Sequence, residues 1–314
     1  MNCPACDSPG PVPVLTVSSP DGLLAKDFRV LKCPGCGLGL TDPPPTGSEL
    51  SVLYSTDYHA PEKGPGKGGW VARLRLLFLA HRFRRIEREL GSGTLLDYGC
   101  GNGEFVEYAR GRGVDAAGIE PNYASSSASV RRSLNELPPG ARYGLATLWH
   151  VLEHMDSPVK ELGALSERLD AGGRIFISVP NFDSWEAGFG GAEWFHLDAP
   201  RHVLHYTPRS LELVLGKSGL RLRSLSFPFG FYGVFGMFQT LLNLFCERNF
   251  LYYSLKRGTD YRRKMTAGRY ALTIACHALL IPALLPLSSA LAFAAALAGR
   301  SGSMDAVCER AHEV

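Results

Sequence analysis

The chain has 314 residues, of which 45% are hydrophobic and 20% are charged, and its formal net charge is +3. A chain of this length and composition has room for about two folded domains, which excludes global disorder. Its 35 glycines and 21 prolines follow no fixed period, which excludes a collagen-like fibre. The small net charge gives no general attraction to nucleic acid, so we expect no nucleic-acid partner.

The first 60 residues contain four of the eight cysteines, in the pairs Cys3-x-x-Cys6 and Cys33-x-x-Cys36. Two such turns supply four thiolates to one tetrahedral Zn²⁺. Because the protein fills all four positions, the predicted metal is structural and not catalytic. The alternative interpretation is a set of unrelated redox-active or free thiols.

The N-terminus lacks the basic and apolar stretches of a secretory signal, so we expect the chain in the reducing cytosol. Disulfides are rare in that compartment. We therefore expect the remaining cysteines to be buried packing residues; they are Cys100, Cys246, Cys276 and Cys308.

Shifts in composition divide the chain into five segments. They are a zinc-ribbon module at 1–60, a linker with a basic amphipathic helix at 61–92, an α/β domain at 93–228, an apolar helical insertion at 229–299, and a final strand with a tail at 300–314. In the α/β domain, the predicted strands are 94–98, 115–120, 145–152, 174–179 and 220–227, and the predicted helices are 103–110, 158–171 and 208–218. This alternation predicts a doubly wound sheet with helices on both faces.

A glycine-rich loop follows the first of these strands, in the run Asp97-Tyr98-Gly99-Cys100-Gly101-Asn102-Gly103. Glycine suits a tight turn that a ligand approaches closely. Glu120 lies 23 residues after Asp97, where a carboxylate accepts hydrogen bonds from ribose hydroxyls. A dinucleotide loop would have its third glycine one residue later. Asp97 disfavours pyrophosphate and favours a ligand with an ammonium group, and the alternative is a tight turn without a ligand.

These residues resemble the class I S-adenosylmethionine-dependent methyltransferases. The resemblance extends to residues 145–158, 169–181 and 194–220. It implies a Rossmann-like sheet whose last strand is antiparallel, and S-adenosylmethionine as cofactor. The cofactor-binding residues it implies are Asp97, Gly99, Cys100, Gly101, Glu120 and Pro121.

Two further features belong to this resemblance. Only 13 residues separate Pro121 from Asn135, so the second helix and third strand of the family must be short, and the adenine would lie near residues 135–137. The segment from Pro45 to Tyr58, after the cysteine pairs, resembles the zinc module of methyltransferases that act on nucleotide-linked sugars, where the module contributes to acceptor binding.

Methyl transfer needs a general base when the acceptor must lose a proton, and five histidines are candidates: His150, His154, His196, His202 and His205. The predicted catalytic residues among them are His202, His205 and His154, with His202 first, and a structural hydrogen-bonding role is the alternative. Beside them, Arg201 would pair with a phosphate or carboxylate of the acceptor, or else lie on the surface.

Residues 271–299 contain no Asp, Glu, Lys or Arg over 29 positions, which exceeds the length that crosses a bilayer. Pro282 and Pro286 are expected to split this run into halves too short to span. Together with the apolar run 231–245, the basic stretch 248–269 and the arginines of 70–90, it predicts a helical hairpin that dips into one leaflet. The alternative is a helical lid or a dimer interface.

The sequence as a whole predicts an S-adenosylmethionine-dependent methyltransferase. We expect a small-molecule acceptor, namely a glycan precursor, a lipid-linked precursor or a quinone-like lipid. We expect a peripheral or monotopic protein at the inner face of a membrane. The alternative is a non-enzymatic assembly protein that binds through its zinc ribbon and apolar helices and has a degenerate cofactor site.

Overall fold

The structure is a computed structural model, and it describes residues 2–19, 23–54, 69–91, 93–121, 127–257 and 265–311. The chain forms two compact units. The first, here called the ribbon unit, comprises residues 1–63, 180–210 and 226–304. The second, here called the sheet unit, comprises residues 64–179, 211–225 and 305–314. Residues 61–68 of the predicted linker lie outside the described residues, as do Arg262, Arg263 and Lys264 of the predicted basic stretch 248–269.

The described residues contain eleven strands and nine α-helices. The strands are β1 (Val12–Ser18), β2 (Asp27–Lys32), β3 (Gly39–Asp42), β4 (Thr94–Tyr98), β5 (Asp115–Ile119), β6 (Val130–Arg131), β7 (Tyr143–Trp149), β8 (Leu169–Pro180), β9 (Leu204–His205), β10 (Leu220–Ser226) and β11 (Ser303–Arg310). The helices are α1 (Gly47–Leu53), α2 (Trp70–Ile86), α3 (Glu104–Arg110), α4 (Pro158–Ser166), α5 (Trp185–Gly190), α6 (Pro208–Lys217), α7 (Phe231–Asn243), α8 (Phe250–Arg257) and α9 (Ala267–Leu297).

The sheet unit is built on a seven-stranded sheet with the order β10-β11-β8-β7-β4-β5-β6. Strand β4 pairs in parallel with β5 and β7, and β7 pairs in parallel with β8. The last strand is antiparallel, which confirms the predicted Rossmann-like fold. Strand β6 has only two residues, as the short spacing after Pro121 predicts. The core beneath the sheet includes Leu95, Phe105, Val106, Trp149 and Phe176.

One predicted boundary in this sheet is wrong. Helix α4 ends at Ser166 and not before Gly172, and β8 begins at Leu169. The reason is an irregularity in the pairing of β7 with β8, where Leu169 pairs with Tyr143 but the next pair is Arg174 with Leu145. The glycine pair, with Gly172 at φ +77°, lies in this bulge and does not terminate a helix.

In the ribbon unit, a four-stranded antiparallel sheet has the order β1-β2-β3-β9. The side chains of Phe28 and Val30 from this sheet pack against Trp194 and Leu197. The same unit contains α7 and α9, which pack together through buried side chains. These include Met237, Phe238, Leu241, Leu242, Leu284 and Ala292.

Helix α9 continues through both prolines, so the predicted split at Pro282 and Pro286 is wrong. The two prolines are four residues apart and both are exposed, so their missing N–H donors lie on the face away from α7, while Leu284 on the other face is buried. The hydroxyls of Ser288 and Ser289 donate to the Leu285 carbonyl near the second proline. With 31 residues, α9 is about 46 Å long.

By length and composition, α9 is the one helix among the described residues that could cross a membrane. The mean hydropathy of its most apolar 18-residue window is 2.0, and 22% of that window is buried. Near its first turns, Cys276 forms a disulfide with Cys246, with a Cα–Cα distance of 6.5 Å. The prediction that these two cysteines are buried packing residues is therefore wrong, and a disulfide does not support the expected reducing compartment.

Candidate functional site

The glycine-rich loop at the end of β4 is held by backbone hydrogen bonds to the neighbouring strand. The amides of Gly99 and Cys100 donate to the Ile119 carbonyl at 2.8 and 3.1 Å. Gly99 has φ +76°, and a Cβ there would lie 2.3 Å from a methyl group of Val151. Backbone conformation and close approach both require glycine at this position.

The loop also contacts the predicted ribose-binding acid. The Gly101 amide donates to Glu120 Oε2 at 2.9 Å, and Glu120 directly follows β5. Cys100 packs its sulfur toward Gly118, where a Cβ would lie 2.5 Å from Sγ. Pro121 is exposed beside Glu120. The structure thus brings the predicted cofactor-binding residues together around one turn.

Asp97 is buried at the end of β4 beneath this turn. Thr147 on β7 donates its hydroxyl to Asp97 Oδ1 at 2.6 Å. Among the described residues, Asp97 Oδ2 has no hydrogen-bond partner. Burial raises the pKa of the Asp97 carboxyl, and the positive charge of Arg82 opposes that shift. A buried carboxylate oxygen that lacks a donor fits the ammonium group of S-adenosylmethionine.

Two side chains near Asp97 were missed by sequence reasoning. Thr147 lies inside a fully buried strand, and its hydroxyl is the sequence feature that could have indicated a polar contact there. Arg82 and Arg85 on α2 were assigned to a membrane surface, and that assignment is wrong for both. Arg82 lies over the rings of Phe105 and Trp149, and Arg85 pairs with Asp305.

His202 and His205 lie in the ribbon unit, where both are buried and their rings are 6.4 Å apart. His202 Nδ1 is 2.9 Å from the His196 carbonyl, which only accepts, so Nδ1 carries the proton and Nε2 the lone pair in the neutral ring. Thr41 donates its hydroxyl to the His202 carbonyl at 2.6 Å.

The same hydroxyl fixes the tautomer of His205. Because the Thr41 proton points to the His202 carbonyl, Oγ1 accepts from His205 Nε2 at 3.1 Å. Burial lowers the pKa of His205 to about 3, so this imidazole is neutral at pH 7 and a weak base.

The remaining predicted residues are placed as follows. His154 ends a short 3-10 turn, Leu152–His154, in the sheet unit, where its amide donates to the Val151 carbonyl at 3.0 Å. Arg201 is buried in the ribbon unit and pairs with Asp198 at 2.8 Å. The interpretation of Arg201 as a solvated surface charge is therefore wrong.

The four N-terminal cysteines form one cluster in the ribbon unit. The sulfurs of Cys3 and Cys36 are 3.6 Å apart, those of Cys6 and Cys33 are 3.5 Å apart, and all four lie within 4.8 Å of one another. A tetrahedron with Zn–S bonds of about 2.3 Å has edges of about 3.8 Å. The donor set therefore fits the predicted Zn²⁺.

Comparisons with known proteins give three kinds of match: a family model, curated relatives and solved structures. Residues 71–225 match the family model described as "Methyltransferase domain". A mitochondrial ubiquinone biosynthesis O-methyltransferase of Candida albicans is 27% identical over 150 residues, covering 41% of this chain and 44% of that protein. A ubiquinone biosynthesis O-methyltransferase of Idiomarina loihiensis is 30% identical over 135 residues, covering 37% of this chain and 51% of that protein.

The chain thus spans about half the length of these curated relatives. Among solved structures, a SAM-dependent methyltransferase from Archaeoglobus fulgidus aligns with a TM-score of 0.44 and 16% identity, covering 75% of this chain and 94% of that chain. The matched residues contain the glycine-rich loop and all strands of the seven-stranded sheet except β11 and the last residue of β10. This agrees with the resemblance seen in the sequence. Residues 71–225 thus match a methyltransferase domain, which supports the resemblance to the class I S-adenosylmethionine-dependent methyltransferases.

Proposed function

We propose that the protein transfers a methyl group from S-adenosylmethionine to a small-molecule acceptor. The observation that carries this proposal is the buried Asp97 carboxylate, with Oδ2 lacking a donor among the described residues, beside the turn that joins Gly101 to Glu120. Asp97 would receive the ammonium group, and Glu120 the ribose hydroxyls. The cofactor supplies an activated methyl group, so the protein contributes mainly orientation.

We assign the acceptor to lipid or glycan precursors, with an oxygen as the methylated atom. The two curated relatives are named as ubiquinone biosynthesis O-methyltransferases, which supports a quinone-like lipid. A hydroxyl acceptor must lose a proton, and His202 is the proposed base because its Nδ1–H bond to the His196 carbonyl leaves the lone pair on Nε2. His205 and His154 have the supporting roles of positioning residues.

We place the protein at the surface of a membrane through α9. Leu272, Leu279 and Leu297 on this helix are each more than 70% exposed, and Phe293 is half exposed. Apolar surface of this extent is costly in water and stable against acyl chains. The cysteine cluster binds a structural zinc ion in this proposal, since four protein thiolates leave no open coordination position.

The first experiment measures S-adenosylmethionine binding by calorimetry on the full, zinc-loaded chain in detergent. Asp97→Ala and Glu120→Ala are each expected to weaken binding by tenfold or more, because each removes a charged hydrogen bond of about 1.5–3 kcal/mol. The matched control is Asp115→Ala, which removes an exposed carboxylate from β5 and should leave the affinity unchanged. Folded, zinc-loaded protein that binds no cofactor would instead favour the assembly-protein alternative.

A second experiment tests the membrane assignment by flotation with vesicles that contain anionic lipid. The double variant Leu272→Ser and Leu279→Ser should lose most vesicle binding. Leu76→Ser and Leu77→Ser, which change two exposed leucines on α2, are the control and should float like the wild type. Equal flotation of the two double variants would contradict the role of α9. We would then also expect no transfer of radiolabelled methyl groups to lipid extracts.

A further inference from the structure

Helix α2 contributes an arginine to the surroundings of Asp97. The Arg82 guanidinium carbon lies 4.3 Å from the ring centroid of Phe105 and 4.5 Å from that of Trp149. One of its terminal nitrogens, Nη2, is 3.9 Å from Asp97 Oδ1. The side chain of Arg82 is 16% exposed and that of Asp97 is 2% exposed. The charge is therefore held over two aromatic rings, with one terminal nitrogen near the buried carboxyl.

The groups that face Asp97 act on its charge in opposite directions. Burial is the largest influence and raises the pKa of Asp97, and the negative charge of Glu120 acts in the same direction. Arg82 from α2 and the hydroxyl of Thr147 from β7 lower it. The thiol of Cys100 in the turn adds no charge, because burial raises the pKa of that thiol well above neutral pH. Arg82 and Thr147 therefore favour the ionised carboxylate against the effect of burial.

We infer that Arg82 is a positioning residue of the cofactor site, whose guanidinium keeps Asp97 ionised so that the carboxylate can receive the cofactor's ammonium group. This inference rests on the proposed function, in which Asp97 is the ammonium ligand. It gives α2 a part in cofactor recognition, although this helix precedes the glycine-rich loop by a full strand. A neutral Asp97 would carry a proton on one of the oxygens that must accept hydrogen bonds from the ammonium group. That oxygen would then be a donor facing another donor.

The role requires the particular chemistry of arginine. The guanidinium of Arg82 lies over the rings of Phe105 and Trp149 and cannot lose its proton, whereas a buried lysine ammonium is easily neutralised. Arg84 on the same helix is exposed, and its Nε donates to the Ala80 carbonyl. Arg84 therefore offers a matched control in which the same charge is removed from the same helix.

The experiment measures the dissociation constant of S-adenosylmethionine for the full, zinc-loaded chain between about pH 5 and about pH 7.5, below the pKa of about 8 of an α-amino group. Wild type should lose affinity as pH falls through the pKa of Asp97, because protonation removes the acceptor. Arg82→Gln keeps a planar polar group but removes the charge, so the midpoint of this loss should move up by about one pH unit or more. At a pH below both midpoints, the variant should bind about tenfold more weakly than wild type for each pH unit that separates them.

The variants separate this role from other roles. Thr147→Val should move the midpoint in the same direction by less, Arg82→Lys should move it to a value between those of wild type and Arg82→Gln, and Arg84→Gln should leave it unchanged. A uniform loss of affinity at every pH in folded Arg82→Gln would overturn the inference and assign Arg82 a merely structural role, as would an unchanged midpoint. If Arg82→Gln does not fold, the midpoint of Thr147→Val decides. Asp97→Asn with wild-type affinity would instead refute the proposed role of Asp97 itself.

Discussion

Asp97 in the sheet unit and Glu186 in the ribbon unit are both almost fully buried carboxyls, but their surroundings differ. Asp97 faces the guanidinium of Arg82 and the hydroxyl of Thr147. Glu186 lies against Trp194 and Gly302, where a Cβ on the glycine would be 2.4 Å from its carboxyl. Burial raises the pKa of Glu186 to about 8, so this acid is mainly protonated at pH 7.

The same contrast extends through both units. The sheet unit buries a second opposite pair, in which Arg85 Nε donates to Asp305 Oδ2 at 3.0 Å. The ribbon unit keeps its buried Glu186 and His205 uncharged at pH 7, although it also contains a buried arginine, Arg201, which is paired with Asp198. Burial alone therefore does not set the charge of a side chain; the partner within about 4 Å does. A carboxyl group that must bind an ammonium group needs a cation and a hydrogen-bond donor beside it, as Asp97 has in Arg82 and Thr147.

The largest expected effect follows from removal of the metal predicted in the ribbon unit. Cys36→Ser or a strong chelator should abolish zinc binding, whose apparent free energy in small zinc modules is about 10 kcal/mol or more. Strands β1 and β2 should then lose protection against hydrogen exchange. Cys308→Ser, at a buried cysteine outside the cluster, is the control and should retain one zinc per chain. Full protection in metal-free protein would contradict the zinc assignment.

The next largest effect tests the paired charges of the sheet unit. Arg85→Met leaves the Asp305 carboxylate buried without its cation, which should lower the free energy of unfolding by about 3–5 kcal/mol. Adding Asp305→Leu should restore much of that loss, because no buried charge then remains. Urea unfolding of the single and double variants measures both effects. A double variant as unstable as the single one would mean that packing over Trp149, 4.9 Å from the guanidinium, matters more than charge.

The third prediction concerns the neutral acid of the ribbon unit. Because the pKa of Glu186 is raised above its unfolded value, its contribution to stability is fully present at low pH and is lost as pH rises from about 4.5 toward about 8. Glu186→Gln removes that loss, so the variant should gain about 1.4 kcal/mol on wild type per pH unit in this window. Glu193→Gln, at a partly exposed acid, is the control and should show no such slope.

Local patterns account for what the sequence could predict. Each of these patterns lies within a few tens of residues: the glycine-rich loop, the two cysteine pairs and the alternation of strands and helices. The seven-stranded sheet confirms the predicted fold. The contacts that determine whether a buried side chain is charged join residues far apart in the sequence. Arg82 meets Asp97 across a helix and a strand, and Asp305 meets Arg85 from 220 positions away. No periodicity in the sequence indicates such pairs.

Single-residue rules also failed where packing overrides propensity. Pro282 and Pro286 predicted a break, but the buried face of α9 against α7 keeps the helix continuous. The arginines of α2 resembled a basic membrane face, although two of them have aromatic partners in the sheet unit. Cys246 and Cys276, 30 positions apart, meet only because α7 and α9 pack side by side. In each case the deciding partner lies in another element.

The smallest effect tests whether the neutral environment of the ribbon unit also governs a base. Burial lowers the pKa of His205 to about 3, below its unfolded value, so the unfolded chain binds more protons than the folded one between about pH 3 and about pH 6.5. Stability should therefore fall with acidification through this window. His205→Gln keeps a donor for Thr41 Oγ1 but does not titrate, and from pH 6.5 to pH 5.5 wild type should lose about 1 kcal/mol relative to it. The slope has the opposite sign to that of Glu186→Gln, so urea unfolding of the two variants over one pH series provides an internal control. Parallel slopes would mean that His205 is protonated in the folded protein, and the contrast between the two units would then hold for acids alone.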